Sequence, residues 1–538
     1  MKHFCAFLFC ITCIITASAQ QWNWAKKSSG VNANSYDLAY DVVADNQKNT
    51  YVVGEFNTSL VFPAGSLSAG GGHIFVVKFD SVGNYIWGRS AGSFNPGAAL
   101  AVALDQNQDV VICGRYYGNA TFGSTSLTSA GQSDIFLAKI SSAGNWLWVK
   151  SYGAASYDWA ADVAVDNAGN IYMTGVTVDT VIFDALQLNS DGAYYNGFVA
   201  KFDSSGTCQW VNGAGGTGNV KGTTITVSPA GYVYAGGVFA QNPVVFGTAM
   251  NAANQIDEYE YIARFDNNGN AVWCTQLSCN AVNNMAGLSA LMVDQDEDIY
   301  FTGNYYWTCT MGSFTLPFPA GVRNTFVGKM DSTSAMLWVK HAYGPTNNWG
   351  SDIGLDSAGN CYVTGHFTDT LHFNGCTVIH QGGNGYIVTF DSEGQCICID
   401  YVQQTFPEAL CIAHNQIWQT GYFSDTAYFG STTLITPNPL EIYLGNAMLC
   451  ANPLTTQSIA EDQPLLRVYP NPGSDIITIE NTLYPDARLE VFNASGECIR
   501  RDFISGTTTI PIDTWKNGIY LFRLSSENST VTTRFVKQ

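Results

Sequence analysis

The chain has 538 residues, of which 46% are hydrophobic, 13% aromatic and only 12% charged, and its formal net charge is −20. This much apolar surface excludes a disordered chain, and the absence of a triplet period among the 53 glycines excludes collagen. The acidic balance, with a pI near 4.5, argues against a nucleic-acid partner because phosphate is repelled. Abundant Gly, Tyr, Val, Thr and Asn predict β structure with many tight turns.

Residues 1–19 form a predicted signal peptide. Lys2 gives a basic start, residues 4–15 are apolar, and Ala17-Ser18-Ala19 places small residues before a cut at Gln20. The apolar run is too short to span a membrane, and no later stretch reaches the length a transmembrane helix needs. The mature chain is therefore expected to be exported and to have no transmembrane segment.

Residues 20–450 contain seven copies of one pattern, whose equivalent glycines lie 56 to 67 residues apart. In the clearest copy, the turn at Asp166 leads into a strand ending at Gly175. A second strand from Phe198 leads into a similar turn at Asp203 and a strand with Trp210. Gly-Asn and Ser-Gly in these turns supply the positive φ that tight connections need. Each copy reads as four strands, and four-stranded sheets arranged radially make a β-propeller.

The last copy has no Trp strand of its own. Trp22-Asn-Trp24-Ala-Lys26, at the mature N-terminus, matches Trp146-Leu-Trp148-Val-Lys150, so the N-terminal segment is expected to complete the last sheet and leave no open edge. This predicts a seven-bladed β-propeller closed by an N-terminal strand. The motifs Gly-Asn-x-Tyr-x-Thr-Gly and Phe-x-x-Lys-Phe-Asp also resemble those of bacterial β-propeller repeats in secreted and surface proteins. That resemblance implies the fold but no particular activity.

The long connections of the repeats are expected to lie on one face of the ring, which is then the candidate ligand-binding face. They are rich in aromatic and amide side chains, and flat rings beside polar groups suit sugars. The alternative is that these rings pack between the blades. The candidate ligand-binding residues are Tyr116, Tyr117, Tyr157, Trp159, Tyr305, Trp307, Trp349 and His366.

A second candidate site is a ring of carboxylates at the channel. Aligning the repeats places Asp41, Asp162, Asp352 and Glu408 at the start of the innermost strand, where they would raise one another's pKa or hold a cation. The alternative is that each carboxylate accepts backbone N–H groups and fixes a loop.

A calcium loop is the third candidate. Asp294, Asp296 and Asp298 have the alternating oxygen spacing of such a loop, without the Gly and the distal Glu of an EF-hand. No cofactor other than Ca²⁺ is predicted.

Eleven of the 15 cysteines lie between the signal peptide and residue 467. Cys274 with Cys279, or Cys361 with Cys411, are candidate disulfide pairs, and the sequence does not decide the connectivity.

The C-terminal region, residues 467–538, follows a linker at 451–466 and reads as a small β-sandwich of short strands separated by turns. It holds eight basic and eight acidic side chains, so the excess acid belongs to the repeats. Val468-Tyr469-Pro470-Asn471-Pro472, Asn517-Gly518-Ile519-Tyr520 and the basic last strand 534–538 resemble the type A C-terminal sorting domain of the type IX secretion system of Bacteroidetes. The resemblance implies export across the outer membrane through that machinery.

Together these features predict a secreted or surface-attached binding module for a glycan or a cell-surface protein. One alternative is an enzyme acting on extracellular polysaccharide with the channel carboxylates, which requires paired acids about 5–10 Å apart. The other is a purely structural surface component.

Overall fold

The structure is a computed structural model. The chain divides into two compact units, Met1–Asn452 and Pro453–Gln538. The predicted signal peptide lies outside the described residues. The structure describes residues 21–29, 36–68, 73–92, 97–190, 194–250, 258–279, 287–306, 308–317, 322–373, 375–450, 466–469, 475–481, 487–493, 497–504, 507–525 and 530–537.

The described part of the first unit contains seven four-stranded antiparallel sheets, numbered here 1 to 7 along the chain. The strand next to the central cavity is called the inner strand and the fourth is called the outer strand. In chain order the strands of sheets 1 to 3 are Asp37–Ala44, Thr50–Phe56, Ile74–Phe79 and Tyr85–Ala91; Ala98–Leu104, Val110–Phe122, Thr125–Ile140 and Trp146–Tyr152; and Trp159–Val165, Ile171–Thr177, Asn196–Phe202 and Cys208–Ala214. Those of sheets 4 to 6 are Val220–Val227, Val233–Ala240, Glu258–Phe265 and Ala271–Gln276; Gly287–Val293, Ile299–Tyr305, Asn324–Met330 and Met336–His341; and Asn348–Leu355, Cys361–Phe367, Asn384–Phe390 and Cys396–Gln403. Sheet 7 consists of Thr405–Ala413, Gln416–Phe423, Glu441–Met448 and, as its outer strand, Trp22–Lys27.

The seven inner strands surround one cavity of about 330 Å³, to which every one of them contributes side chains. Each inner strand packs against that of the next sheet, and the inner strand of sheet 7 packs against that of sheet 1. The outer strand of sheet 7 comes from the N-terminus, with Ala25 opposite Gly445 and Lys26 opposite Leu444. This is the pairing that the incomplete last repeat predicts.

The connection between the second and third strands is not a simple loop. In sheet 2 these strands extend into a hairpin, and in the other sheets the connection forms a separate two-stranded hairpin. Bridges such as Ser29 to Val61 and Gly215 to Val244 join a hairpin to the preceding sheet at the perimeter. The separate hairpins are Ser59–Phe62 with Gly65–Ser68, Val181–Phe183 with Leu186–Leu188, Val244–Val245 with Thr248–Ala249, Cys309–Met311 with Phe314–Leu316 (which Ser278–Cys279 joins), Thr370–Phe373 with Cys376–Ile379, and Thr426–Phe429 with Thr432–Ile435.

The tryptophans of the outer strands fasten neighbouring sheets together. Trp338 Nε1 donates a hydrogen bond to the backbone oxygen of Ser392 at 3.0 Å, in the turn between the third and fourth strands of the next sheet. Trp87, Trp210 and Trp273 make the same bond to the corresponding turns. The Trp338 ring also packs on Gly394, whose φ of 74° is the left-handed conformation that glycine adopts without strain.

Sheet 6 has a disulfide in place of this contact. Sheet 7 has no turn between its third and fourth strands, because its fourth strand comes from the N-terminus. Cys398 occupies the Trp position of sheet 6, opposite Thr389, and bonds to Cys450, which lies just after the third strand of sheet 7 where the turn would begin. The covalent bond therefore links sheets 6 and 7 where the tryptophan contact is impossible.

The candidate disulfides predicted from the sequence are wrong. The structure pairs Cys376 with Cys396 and Cys398 with Cys450, whereas Cys274, Cys361 and Cys411 are free thiols. The true pairs join positions on neighbouring strands or sheets, a proximity that spacing along the chain does not reveal.

The second unit contains a three-stranded and a four-stranded antiparallel sheet. Apolar side chains from both sheets, among them Ile479, Val491 and Phe522, form one buried cluster. In spatial order the strands are Leu466–Tyr469, Ile476–Asn481 and Thr507–Pro511 in the first sheet, and Cys498–Ile504, Ala487–Asn493, Gly518–Ser525 and Thr530–Lys537 in the second. Across the described residues of both units, no helix has the length and hydropathy needed to cross a membrane.

Candidate functional site

Every inner strand carries a β-bulge at the same level of the channel. The register shifts by one residue in each of the seven strands, which leaves one residue without a partner on the second strand. A bulge interrupts the hydrogen-bond ladder, so a backbone N–H near it needs another acceptor. The bulge residues are Tyr40, Leu100, Ala161, Thr223, Ser289, Ser351 and Glu408.

Three aspartates and one threonine accept these N–H groups. Asp41 accepts the amides of Val42 in its own sheet and Val102 in the next, both at 2.7 Å. Asp162 and Asp352 each bridge two sheets in the same way. The hydroxyl of Thr224 accepts the one remaining equivalent amide, that of Leu291, at 3.2 Å. All seven N–H groups two residues after the bulges thus have a side-chain acceptor, which explains why three aspartates are enough for seven sheets.

The fourth acid of the predicted ring is not equivalent to the other three. Glu408 is itself the bulge residue of sheet 7, whereas Asp41, Asp162 and Asp352 each follow a bulge residue. The sequence alignment was therefore out of register by one residue at Glu408. The carboxylate of Glu408 makes no hydrogen bond with the residues that the structure describes, and its side chain borders the cavity.

The channel keeps these acids protonated at higher pH than usual. Burial raises the pKa of Asp162 to about 6, of Asp352 to about 7 and of Glu408 to about 7. Burial also raises the pKa of Asp41 well above its usual value, with a contribution from the nearby Asp352. Both carboxylate oxygens of each of these aspartates accept a backbone N–H group, so neither oxygen is free to exchange a proton with a substrate.

The candidate calcium loop, residues 294–298, is a turn whose aspartates lie beside a lysine. Asp294 accepts the backbone N–H groups of Asp296 and Asp298 at 3.0 and 2.9 Å. The ammonium of Lys329 lies 2.8 Å from Asp298 and 3.8 Å from Asp294, so positive charge is already supplied there. Among the described residues, no group of three or more His, Cys, Asp or Glu has the arrangement of a metal site.

Two of the predicted ligand-binding aromatic residues belong to the core. Tyr116 and Tyr305 have no exposed surface. Tyr116 bonds to the hydroxyl of Ser151 at 2.7 Å, and Tyr305 donates to the backbone oxygen of Pro317 at 3.2 Å. These two rings pack within the ring of sheets and do not contribute to an accessible surface.

The others lie in several different settings. Tyr157 is exposed, whereas Tyr117 and Trp159 are half-buried, and Trp159 packs edge to face on Tyr195 at 5.6 Å. Trp307 lies outside the described residues. The remaining two, Trp349 and His366, come together in one stack.

That stack, called here the aromatic ladder, runs across sheets 5 to 7 at the end of the ring where the inner strands begin. His366 lies between the rings of Trp349 and Phe406, with both centroid distances at 4.4 Å, and Phe406 stacks on Tyr422 at 5.1 Å. The ladder comprises Tyr306, Arg323, Trp349, His366, Phe406 and Tyr422.

Pairing between strands builds the ladder. Trp349 is directly opposite His366 in sheet 6, and Phe406 is directly opposite Tyr422 in sheet 7. The guanidinium of Arg323 lies over both Tyr306 and Trp349, 5.1 and 5.9 Å from the ring centroids. Sequence analysis found Trp349 and His366 but missed Phe406, because its partners are far away along the chain.

Only His366 is fully buried in the ladder. Burial between two rings lowers its pKa to about 4, so the imidazole is neutral at neutral pH. Both of its ring nitrogens lack a hydrogen-bond partner among the described residues. The other five ladder residues are half-buried, so each keeps part of its surface accessible.

Sheets 1 and 2 have charged groups at the same level instead. Tyr40 donates a hydrogen bond to Glu55 at 2.9 Å. Glu55 and Arg115 occupy the position that His366 and Tyr422 occupy in sheets 6 and 7, directly after the repeat's glycine. One end of the ring therefore has an aromatic side and a charged side on a constant frame.

Two parts of the chain match known families. Residues 467–538 match the secretion system C-terminal sorting domain, and residues 147–179 match the β-propeller repeat. The protein is therefore a β-propeller protein that the type IX secretion system exports to the cell surface or the surrounding medium, as the sequence motifs predict.

Individual proteins are similar to the chain at lower identity. An uncharacterized WD repeat-containing protein of Acanthamoeba polyphaga mimivirus is 23% identical, with 55% of this chain and 26% of that protein covered. The chain thus spans about a quarter of the length of the curated relative that it matches.

Two solved structures also resemble the chain. A catalytically inactive virginiamycin B lyase from Staphylococcus aureus, solved with quinupristin, is 10% identical with a TM-score of 0.41, covering 79% of this chain and 99% of its own. The extracellular region of plexin A4 is 8% identical with a TM-score of 0.45, covering 95% of this chain and 67% of its own.

Proposed function

We propose that the first unit is a seven-bladed β-propeller that works outside the cell as a binding module, and that the aromatic ladder is part of its ligand-binding surface. In this proposal the seven sheets are the blades, and the second unit is a β-sandwich that delivers the propeller. The ligand is an extracellular glycan or a cell-surface protein.

The aromatic ladder is the observation that carries the proposal. Five of its six residues are half-buried and keep some accessible surface, and aromatic rings and arginine are the side chains that most often anchor ligands at protein interfaces. A stack confined to sheets 5–7 is not needed to build the frame, because the other sheets form the same strands without it. The bulges, turns and outer tryptophans repeat around the ring, whereas the residues at this level differ from sheet to sheet.

A hydrolytic function of the channel carboxylates has no comparable support. The aspartates of sheets 1, 3 and 6 are engaged by two backbone amides each. Glycoside hydrolysis requires one carboxyl group to donate a proton and a second to act as nucleophile or base, and Glu408 alone does not provide such a pair.

A glycan array and a binding assay on bacterial surface proteins, both with the exported full chain, test the proposal. We expect Trp349→Ala and Phe406→Ala to weaken binding at least about tenfold, the effect of losing about 1.4 kcal/mol of contact energy. Trp159→Ala tests the half-buried ring at the start of the inner strand of sheet 3. Tyr428→Ala removes an exposed ring in the perimeter hairpin of sheet 7 and serves as the control.

Thermal unfolding separates a binding role from a packing role. If the ladder binds ligand, the Trp349 and Phe406 variants lose affinity while their melting temperatures fall by no more than about 2 °C. A large fall in melting temperature with unchanged affinity would place the ladder in the core. No ligand on either panel would favour a structural surface component instead.

A further inference from the structure

The second unit has one sheet face that is unusual for a protein surface. Directly opposed residues in an antiparallel sheet point to the same side, so the register of the four-stranded sheet defines its two faces. Leu489, Val491 and Phe522 point into the buried cluster. The opposite face, called here the arginine face, carries Arg488, Glu490, Phe492, Arg501, Phe503, Ile519, Leu521 and Arg523, and the unpaired bulge residue Ile499 lies at its edge.

Three arginines converge on one carboxylate at the centre of the arginine face. Glu490 accepts hydrogen bonds from Arg488 at 3.0 Å, from Arg501 at 3.1 Å and from Arg523 through two guanidinium nitrogens. These bonds hold the pKa of Glu490 below its usual range, the contact with Arg523 contributing most. Three guanidiniums against one carboxylate leave this face with an excess of positive charge.

Large apolar side chains surround the arginines and remain in solvent. Phe503 is 79% exposed, and Ile519, Leu521 and Ile499 are also exposed. The guanidinium of Arg523 covers the ring of Phe492, 4.8 Å from its centroid. Clustered exposed apolar groups mark interaction sites, and a combination of aromatic and arginine side chains is typical of the centre of protein interfaces.

The unit's other exposed face lacks these features in its described part. On the three-stranded sheet, Thr507 and Thr509 point to solvent from one strand, and Ile476 is the exposed apolar residue of the neighbouring strand. The two faces therefore differ strongly in chemistry although both belong to the same small unit.

We infer that the arginine face is the surface by which the sorting domain docks on the export machinery, against a protein surface that is acidic with an apolar centre. The inference rests on the sorting role of residues 467–538 and goes beyond the binding role proposed for the first unit. The excess of guanidinium groups selects an acidic partner because opposite charges steer and orient association. The exposed Phe503 and Leu521 then supply apolar area that is removed from water on docking.

Export of the full chain in a native host tests the inference, with the chain quantified in the periplasm, on the cell surface and in the medium. We expect Phe503→Asp to reduce the exported fraction at least about tenfold. We expect the same of the double variant Arg488→Gln/Arg501→Gln, which leaves the ion pair between Arg523 and Glu490 in place. Thr509→Asp adds the same charge as Phe503→Asp on the other sheet and should export normally.

Glu490→Gln distinguishes docking from folding. It removes the carboxylate that organises the arginines but keeps all three guanidiniums, so a docking surface should still work and export should stay within about twofold of the wild type. If the arginines serve only the unit's stability, Glu490→Gln lowers export as much as the arginine variants do, and the inference is wrong.

Two further outcomes are decisive. If deletion of residues 467–538 blocks export while Phe503→Asp and Arg488→Gln/Arg501→Gln export normally, the sorting role stands and the arginine face is not the docking surface. The purified variant Arg488→Gln/Arg501→Gln is also compared with the wild type for binding to vesicles that contain anionic phospholipid. If this variant exports normally but binds the vesicles more weakly than the wild type, the face recognises a lipid headgroup, and the protein partner is refuted.

Discussion

The bond between Cys398 and Cys450 offers a direct test of how the ring of sheets is held closed. At the other junctions, an outer-strand tryptophan contacts a turn of the next sheet, but sheet 7 offers no such turn. Replacing both cysteines by alanine should therefore loosen sheet 7, whose outer strand, Trp22–Lys27, is held by pairing with the strand that ends just before Cys450.

The expected loss in the free energy of unfolding follows from the lengths of the loops that the two disulfides close. Cys398 and Cys450 are 52 residues apart, whereas Cys376 and Cys396 are 20 residues apart. Loop-closure entropy gives about 4 kcal/mol for the longer loop and about 3 kcal/mol for the shorter one. With an unfolding entropy of about 0.9 kcal/mol/K for a unit of about 430 residues, the loss of 4 kcal/mol lowers the melting temperature by about 4 °C.

Calorimetry and native-state hydrogen exchange on the exported protein are the assays, with Cys376→Ala/Cys396→Ala as the matched control. We expect Cys398→Ala/Cys450→Ala to speed exchange in Trp22–Lys27 and Glu441–Met448, and the control to speed exchange within sheet 6. In the control variant only the bond between Cys398 and Cys450 remains. Reducing that bond should speed exchange in sheet 7 as the Cys398→Ala/Cys450→Ala variant does, without removing side-chain atoms.

A change of less than about 1 °C, or faster exchange spread evenly over all seven sheets, would contradict this account. The first result would mean that strand pairing alone holds sheet 7, and the second that the disulfide stabilises the whole ring and not sheet 7 in particular.

Trp338→Phe removes the hydrogen bond to Ser392 and should cost about 1 kcal/mol more in urea unfolding than Trp148→Phe, because Trp148 packs on Gly206 without a hydrogen bond from Nε1 to any described residue; equal losses would show that only ring packing matters. The free energy of unfolding should be greatest near pH 4. The channel aspartates have a pKa raised above the unfolded value of about 4, so the folded state binds their protons more tightly and stability is lost as pH rises towards 7. Turn aspartates such as Asp80 have a lowered pKa, so their contribution to the free energy of unfolding is present above pH 4 and is lost below it. Asp352→Asn should make the decline between pH 5 and pH 7 shallower in urea titrations, and a free energy that rises over this range would refute the assigned directions.

Local pattern was sufficient to predict much of the frame. Alternating apolar residues, Asp-x-x-Gly turns and the outer tryptophans identify the strands, since each depends on residues only a few positions apart. The turn aspartates behave as expected: Asp166 accepts the N–H groups of Ala168 and Asn170. The tail motifs of residues 467–538 were likewise sufficient to predict the sorting domain.

Some features leave only a weak signal in the sequence. A phenylalanine, a short turn and a leucine, as in Phe122-Gly123 followed by Leu127, recur after the second strand of most repeats and mark the perimeter hairpins. The bulges are harder to detect, because one extra residue changes the register but not the local pattern, and this is why Glu408 was aligned with the aspartates.

The sequence by itself determined that this acidic, glycine-rich chain is an exported all-β repeat protein, because turn chemistry, strand periodicity and the sorting motifs are local. Only the tertiary structure decided what the candidate residues do. Asp41, Asp162 and Asp352 are acceptors for backbone amides because bulges in two neighbouring sheets meet at each carboxylate. Trp349 and Phe406, 57 residues apart in the chain, stack on the same imidazole because strands of adjacent sheets lie side by side.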